Sequence, residues 1–235
     1  MPVSKTILVT GATRGLGRAL SKLLIAQGHH VIMTGRDEQR VRQVARELGS
    51  EAPVWGLDVQ RQADAQALAE WLTLNDIRLD ALVNNAGRGG EPYRDQPAEN
   101  PLDTDPQTVN DILQVNLLGT YRVTQTLLPC LRRDRRADIV NISSGMGSLA
   151  DMGLGSPGYR LSKAGVNALT RYLAVELAET SIHVNSVCPG WCRTDLGSDR
   201  APRSAEEGVD SVVWLLNEEP DFRGAFIRDR EPIGF

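Results

Sequence analysis

From one end of the chain to the other, short apolar runs rich in β-branched residues alternate with longer stretches in which apolar positions recur at helical spacing. The short runs fall at 7–10, 30–34, 53–57, 81–84, 138–142, 183–187 and 224–227. Their length and near-continuous apolar character predict strands buried on both faces. The amphipathic stretches fall at 15–27, 37–48, 62–73, 106–130, 157–179 and 204–217, long enough for helices. This alternation predicts an α/β chain: a doubly wound, mostly parallel seven-stranded sheet with helices on both faces. No linker rich in Pro, Gly or Ser divides it, so residues 1–235 are expected to form a single domain. The segment 88–106, rich in Pro, Gly and charge, is expected to be a long surface loop.

Composition narrows the partners. A hydrophobic content of 41% and a charged content of 24% over 235 residues are ordinary for a globular protein. The net charge of -4, with no basic run interleaved with aromatics, argues against nucleic acid. Arg132, Arg133, Arg135 and Arg136 do cluster, and are expected to form the solvated C-terminus of a helix. No run reaches the roughly 20 apolar residues of a membrane span, and the first strand begins too early for a signal peptide. Cys130, Cys188 and Cys192 form no disulfide framework, and with His29, His30 and His183 scattered, no metal is expected. A cytoplasmic protein is the resulting expectation.

The first strand runs into Thr10-Gly11-Ala12-Thr13-Arg14-Gly15-Leu16-Gly17 and then a helix. Glycines between strand and helix allow a tight turn and let backbone N–H groups approach a pyrophosphate at the helix N-terminus. That placement makes the sheet Rossmann-like, a dinucleotide-binding arrangement. The spacing G-x-x-x-G-x-G differs from the commoner G-x-G-x-x-G. After the second strand, where an acidic residue would hold a ribose 2′-hydroxyl, stands Arg36. Its guanidinium suits a 2′-phosphate, and Arg14 can approach from the other side. Asp37 is assigned to the cap of the next helix, so NADP(H) is preferred over NAD(H). Asp58, followed by Val59, can accept from an adenine amino group, and Asn85, Ala86 and Gly87 bring backbone close to the adenosine ribose.

At the reacting end, Ser143 and Ser144 follow the fifth strand, where ligands of such sheets bind. Ser156 and Pro157 mark a helix start, with the serine hydroxyl expected to cap and Pro at the first helical position. Tyr159 and Lys163 then lie one turn apart on one face. A fixed ammonium and a helix N-terminus favour phenolate, and moving a Tyr from about 10 towards 7 takes about 4 kcal/mol. A hydroxyl, a phenol and an ammonium can thus converge beside a nicotinamide. Cys188 and Cys192 are expected to be packed thiols, and His29 and His30 to face solvent.

With residues 10–17, Asp58-Val59, Asn84–Gly87, Asn116, Ser144, Tyr159 with Lys163, and Pro189-Gly190 followed by Thr194 in this order, the chain resembles the single-domain short-chain dehydrogenase/reductase family over essentially its full length. The resemblance implies that Tyr159 protonates a carbonyl oxygen as hydride arrives and that Ser144 polarises that oxygen, with Ser143 the competing candidate. It implies that Lys163 holds the nicotinamide ribose and lowers the tyrosine pKa, and that Asn116 anchors a proton-relaying water. Pro189, Gly190, Cys192 and Thr194 would fix the nicotinamide carboxamide and pyrophosphate. A homodimer or homotetramer is implied as well.

The nearest likeness is to the carbonyl-reductase and menthone-reductase-like branch. The resulting expectation is an NADPH-dependent reduction of a ketone, aldehyde or quinone. A 3-oxoacyl thioester reductase and a non-catalytic NADP-binding regulatory protein are the alternatives. The interval from Ser144 to Tyr159 is longer than the family pattern, and some of Met146, Leu149, Met152 and Leu154 within it are expected to line the pocket. The short segment 195–203 predicts an open site.

Overall fold

A computed structural model describes residues 4–89 and 104–235. Most of the expected 88–106 loop therefore lies outside the described residues. The elements run β1 (Thr6–Val9), α1 (Gly15–Ala26), β2 (His30–Gly35), α2 (Glu38–Glu47), β3 (Val54–Gly56), α3 (Gln62–Leu74), β4 (Ala81–Asn84), α4 (Pro106–Leu113), α5 (Gly119–Leu127), β5 (Ala137–Ile142), α6 (Pro157–Glu176), β6 (Ile182–Val187), α7 (Ala205–Glu218), β7 (Phe226–Arg228) and β8 (Glu231–Pro232). The sheet has eight strands rather than seven, in the order β3-β2-β1-β4-β5-β6-β7-β8. The added strand is two residues long and pairs antiparallel with β7, while every other pairing is parallel. Two residues carry no periodicity, which is why sequence patterning cannot find β8.

Successive side chains of each strand point to opposite faces, so each strand feeds two cores. Ile7, Val9, Val31, Met33 and Val140 pack beneath α1, α2 and α7 with Leu20, Leu24, Val41, Val44, Val212 and Leu216. Leu8, Ile32, Leu82, Ile139 and Val184 pack on the other side against α3, α5 and α6 with Leu68, Leu72, Val123, Leu127, Leu169 and Leu173. Buried amides tie that second layer to the sheet. Asn84 donates to Thr124 of α5 and to Asn141, each at 2.9 Å, and Asn141 donates to Thr170 of α6 at 2.9 Å. Each such bond contributes about 1 kcal/mol and, more to the point, fixes register between helix and strand.

Helix ends follow local chemistry in part. Asp37 accepts from Arg40 N at the start of α2, and Ser204 with Glu207 forms a reciprocal capping box on α7. Pro157 does occupy the first turn of α6, but Ser156 does not cap it. Its backbone is left-handed (φ 51°), not the extended form in which a capping hydroxyl reaches the helix amides. The expected 106–130 helix is interrupted by a π turn at Gln114–Leu118 and ends in a 3-10 turn at Leu128–Cys130.

Two surface expectations are corrected. Three of the four arginines after α5 are tied down: Arg132 and Arg135 both engage Asp80, at 2.9 and 2.7 Å, and Arg136 holds Asp138 at 2.8 Å, while Arg133 is exposed as expected. Both carboxylates are buried at the N-terminal edge of the sheet and need those cations. His29 is buried rather than solvent-facing, accepting from Lys5 N and bonded to Asn217, whereas His30 is exposed.

Candidate active site

The glycine-rich turn connects β1 to α1 at the point where the strand order reverses between β1 and β4, the crevice where doubly wound sheets hold ligands. Its shape is locked from below. Thr10 Oγ1 accepts from the backbone of Asn85 and Ala86, at 3.0 and 2.9 Å, and Asn85 Nδ2 donates to Thr10 O and Gly11 O. Gly11 sits at φ +66°, and a Cβ there would stand 2.9 Å from Ala86 Cα. At Gly17 a Cβ would collide with Gly11 O and Asn85 Nδ2.

Arg14 precedes α1 with no side-chain cap, and the first turn holds no acidic residue. The amides of Gly15, Leu16 and Gly17 therefore present an uncompensated positive end, which fits a pyrophosphate. Thr194 packs its side chain against Gly15, bringing the 189–194 loop over the same helix end. Within that loop Gly190 has φ +74°, and the buried Cys192 thiol donates to Pro189 O.

Arg36 is exposed just beyond β2, with no ion pair or hydrogen bond from its side chain among the described residues, beside Thr13, which packs on Gly35. An uncommitted guanidinium there fits a 2′-phosphate. Arg14 instead pairs with the exposed Asp195 at 2.7 Å. Asp58 uses one oxygen to accept from Gln60 N, and Val59 is buried against Gly119.

The reacting residues meet at the C-terminal ends of β4, β5 and β6. Ser144 caps a 3-10 turn, Gly145–Gly147, that packs directly on α6: a Cβ at Gly147 would stand 2.5 Å from the Lys163 carbonyl carbon. That seat brings the Ser144 hydroxyl beside the Tyr159 phenol, where it favours the phenolate. Ser143 points elsewhere, donating to Lys163 O. The Lys163 ammonium lies 5.6 Å from the Tyr159 ring centre and donates to Ile142 O at 2.8 Å.

Burial pushes the Tyr159 phenol up to about 12, with the Ser144 hydrogen bond acting weakly the other way. The expected drop towards neutrality is therefore reversed: the loss of hydration disfavours phenolate more than its neighbours favour it. Burial likewise lowers Lys163 to about 8. In this arrangement Tyr159 is a protonated donor at neutral pH, and Lys163 a cation that is readily lost above it.

Asn116 belongs to the π turn and is buried. It accepts from Arg88 N at 2.8 Å, donates to Arg88 O at 2.9 Å and donates to Ser162 Oγ at 3.0 Å. Ser162 in turn donates to Tyr159 O at 2.7 Å. Asn116 thus joins the loop after Gly87 to α6, and Gly87 lies against its amide. The sequence gives no sign of Ser162, and it shows Thr10 only as the start of the glycine-rich turn, because both roles depend on partners far away in the chain. Of the apolar residues in the long interval, Leu149, Met152 and Leu154 are exposed.

Comparisons with known proteins agree with this geometry. A family model described as short chain dehydrogenase matches residues 5–205. A candidate ketoacyl reductase of the monensin polyketide synthase from Streptomyces virginiae is 37% identical over 198 residues, covering 82% of this chain and 72% of that protein. The NADPH-bound carbonyl reductase from chicken fatty liver superposes with a TM-score of 0.87 at 26% identity, covering 100% of this chain and 96% of the other. A 3-ketoacyl-(acyl-carrier-protein) reductase from Brucella melitensis, complexed with NADH, superposes with a TM-score of 0.83 at 26% identity and 95% coverage of both chains.

Proposed function

The chain belongs to the short-chain dehydrogenase family, and from that premise we propose that it is a cytoplasmic, single-domain NADPH-dependent carbonyl reductase converting a ketone, aldehyde or quinone to an alcohol. The observation that carries this reading is the Ser144–Tyr159 hydroxyl pair with Lys163 over the tyrosine ring, set beside a glycine-rich turn that fits a pyrophosphate.

The nicotinamide, when bound, supplies a hydride to the carbonyl carbon. Ser144 donates a hydrogen bond to the carbonyl oxygen and orients it. Tyr159 gives its phenolic proton to that oxygen as negative charge develops there. An alkoxide is far more basic than a phenolate, so transfer from a phenol near 12 runs downhill. Lys163 stabilises the phenolate left behind, and a proton from solvent restores the phenol. A phenol kept protonated suits reduction, whereas alcohol oxidation would need the phenolate.

Arg36 and the α1 amides would hold the adenosine end, which supports NADPH over NADH. Asn116 would anchor the proton relay, and Pro189, Gly190, Cys192 and Thr194 would enclose the nicotinamide. A 3-oxoacyl thioester is the second substrate class, favoured by the ketoacyl reductases among the relatives. The test is cofactor oxidation by the purified protein with aldehydes, ketones, quinones and an oxoacyl thioester, each with NADPH and NADH. Turnover of at least one carbonyl with NADPH favoured is expected. Tight NADPH binding without turnover across the panel would reduce the protein to a dinucleotide binder.

A further inference from the structure

Arg228 ends β7, beside the C-terminal end of β6. Its guanidinium lies against the turn that follows Ser144: a Cβ at Gly145 would stand 2.5 Å from Arg228 Nη2. Arg228 Nε and Nη2 approach Cys188 Sγ at 3.3 and 3.1 Å, and Gly145 N donates to the same sulfur at 3.0 Å. A guanidinium has five N–H donors, and a thiol is a weak acceptor. Among the described residues the remaining donors meet no oxygen.

The neighbouring carboxylates are already committed. Asp229 pairs with Arg203, and Asp210 pairs with Arg230 at 2.7 Å. Lys163, the other cation here, bonds only a backbone carbonyl. The partly buried arginines at the opposite edge of the sheet, Arg132 and Arg136, do hold carboxylates. At this end of the sheet, Lys163 and Arg228 therefore stand without a carboxylate among the described residues.

We infer that Arg228 is a substrate-binding residue that accepts a carboxylate, so that the preferred substrates are oxo acids rather than neutral carbonyl compounds. The inference rests on the carbonyl-reductase reading and sharpens it. Fork-to-fork pairing supplies both the missing counter-charge and a fixed orientation of the carbonyl towards Ser144 and Tyr159. Cys188 acts as the back wall that holds the guanidinium in place.

The test compares 4-formylbenzoate with its methyl ester, and 4-oxopentanoate with its methyl ester, using NADPH. The acid is expected to exceed its ester in kcat/KM by about tenfold or more, the size of one charge-assisted pair. Arg228→Met should collapse that ratio towards one, chiefly by raising KM for the acid, and Arg228→Lys should restore part of it. A wild-type ratio at or below one overturns the inference. So does a parallel loss on acid and ester in Arg228→Met, which is the signature of a structural clamp on Cys188. A variant-free measurement guards against misfolding: benzoate should inhibit ester reduction competitively and benzamide should not, and equal effects of the two would overturn the inference. Turnover of esters without acid preference leaves the reductase reading intact, whereas no turnover of any carbonyl defeats both.

Discussion

Tyr159 shows how far a motif carries at the scale of a residue. Its pairing with Lys163 is readable from spacing and a helix start, because residues one turn apart share a face. Its protonation is not, because that depends on how much water the fold removes from the ring. With Lys163 near 8 and Tyr159 near 12, the reductive rate is expected to hold through neutrality and fall as pH rises past about 8, where the cation is lost while the acid remains. A pH–rate profile with no break between neutrality and the range of the phenol would remove Lys163 from the reaction. At the other end of the groove, Arg36→Asp should swing the NADPH/NADH ratio of kcat/KM by about 10- to 100-fold towards NADH, the worth of a charge-assisted bond to a phosphate. An unchanged ratio would take Arg36 out of the 2′-phosphate site.

Elements were legible wherever periodicity was long. The seven parallel strands and six amphipathic stretches fall at their expected places, with ends off by at most three residues where the helix is unbroken. What patterning missed were breaks caused by distant partners. The π turn at Gln114–Leu118 keeps the apolar rhythm of a helix, yet Asn116 is held by Arg88 and Ser162, and its own carbonyl accepts from Thr120. Asn116→Ala should therefore cost about 1–3 kcal/mol by stranding buried groups. It should also lower turnover by loosening the tie between the 87–89 loop and α6. Denaturant unfolding read beside kcat tests both. Gly17→Ala should act through the turn itself, since the added carbon meets Gly11 O and Asn85. NADPH affinity measured by fluorescence should fall by at least about tenfold, the usual scale for a displaced phosphate cradle; normal affinity would show that the turn can give.

Across the whole molecule, the two edges of the sheet divide the labour. The C-terminal edge carries Arg36, Lys163 and Arg228, which meet no carboxylate among the described residues, while the N-terminal edge buries Asp80 and Asp138 under arginines. Among the described residues no helix is long and apolar enough to cross a membrane. Sequence reading could place the arginines on a surface but not opposite Asp80, which lies about fifty residues away. Nor could it bury His29 against Asn217.

These burials set the acid response of the fold. His29 and His183 are lowered from 6.5, first by burial. The unfolded chain therefore takes up their protons before the folded one does, so stability is full above about 6.5 and declines as pH falls from there towards the folded values. Asp138, pushed up by burial, acts in the opposite sense at lower pH. Thermal unfolding midpoints should drop between neutrality and mild acid, and His29→Gln should flatten part of that slope. An unaltered slope in His29→Gln would place the sensitivity elsewhere.

The proposed reduction turns on a single proton. The most direct test compares NADPH oxidation by the wild-type protein and Tyr159→Phe on the same accepted carbonyl, with NADPH binding followed in parallel. The predicted result is a loss of about 10²- to 10⁴-fold in kcat, the usual contribution of a general acid, in a variant that still binds NADPH. Turnover by Tyr159→Phe close to that of the wild type would contradict it.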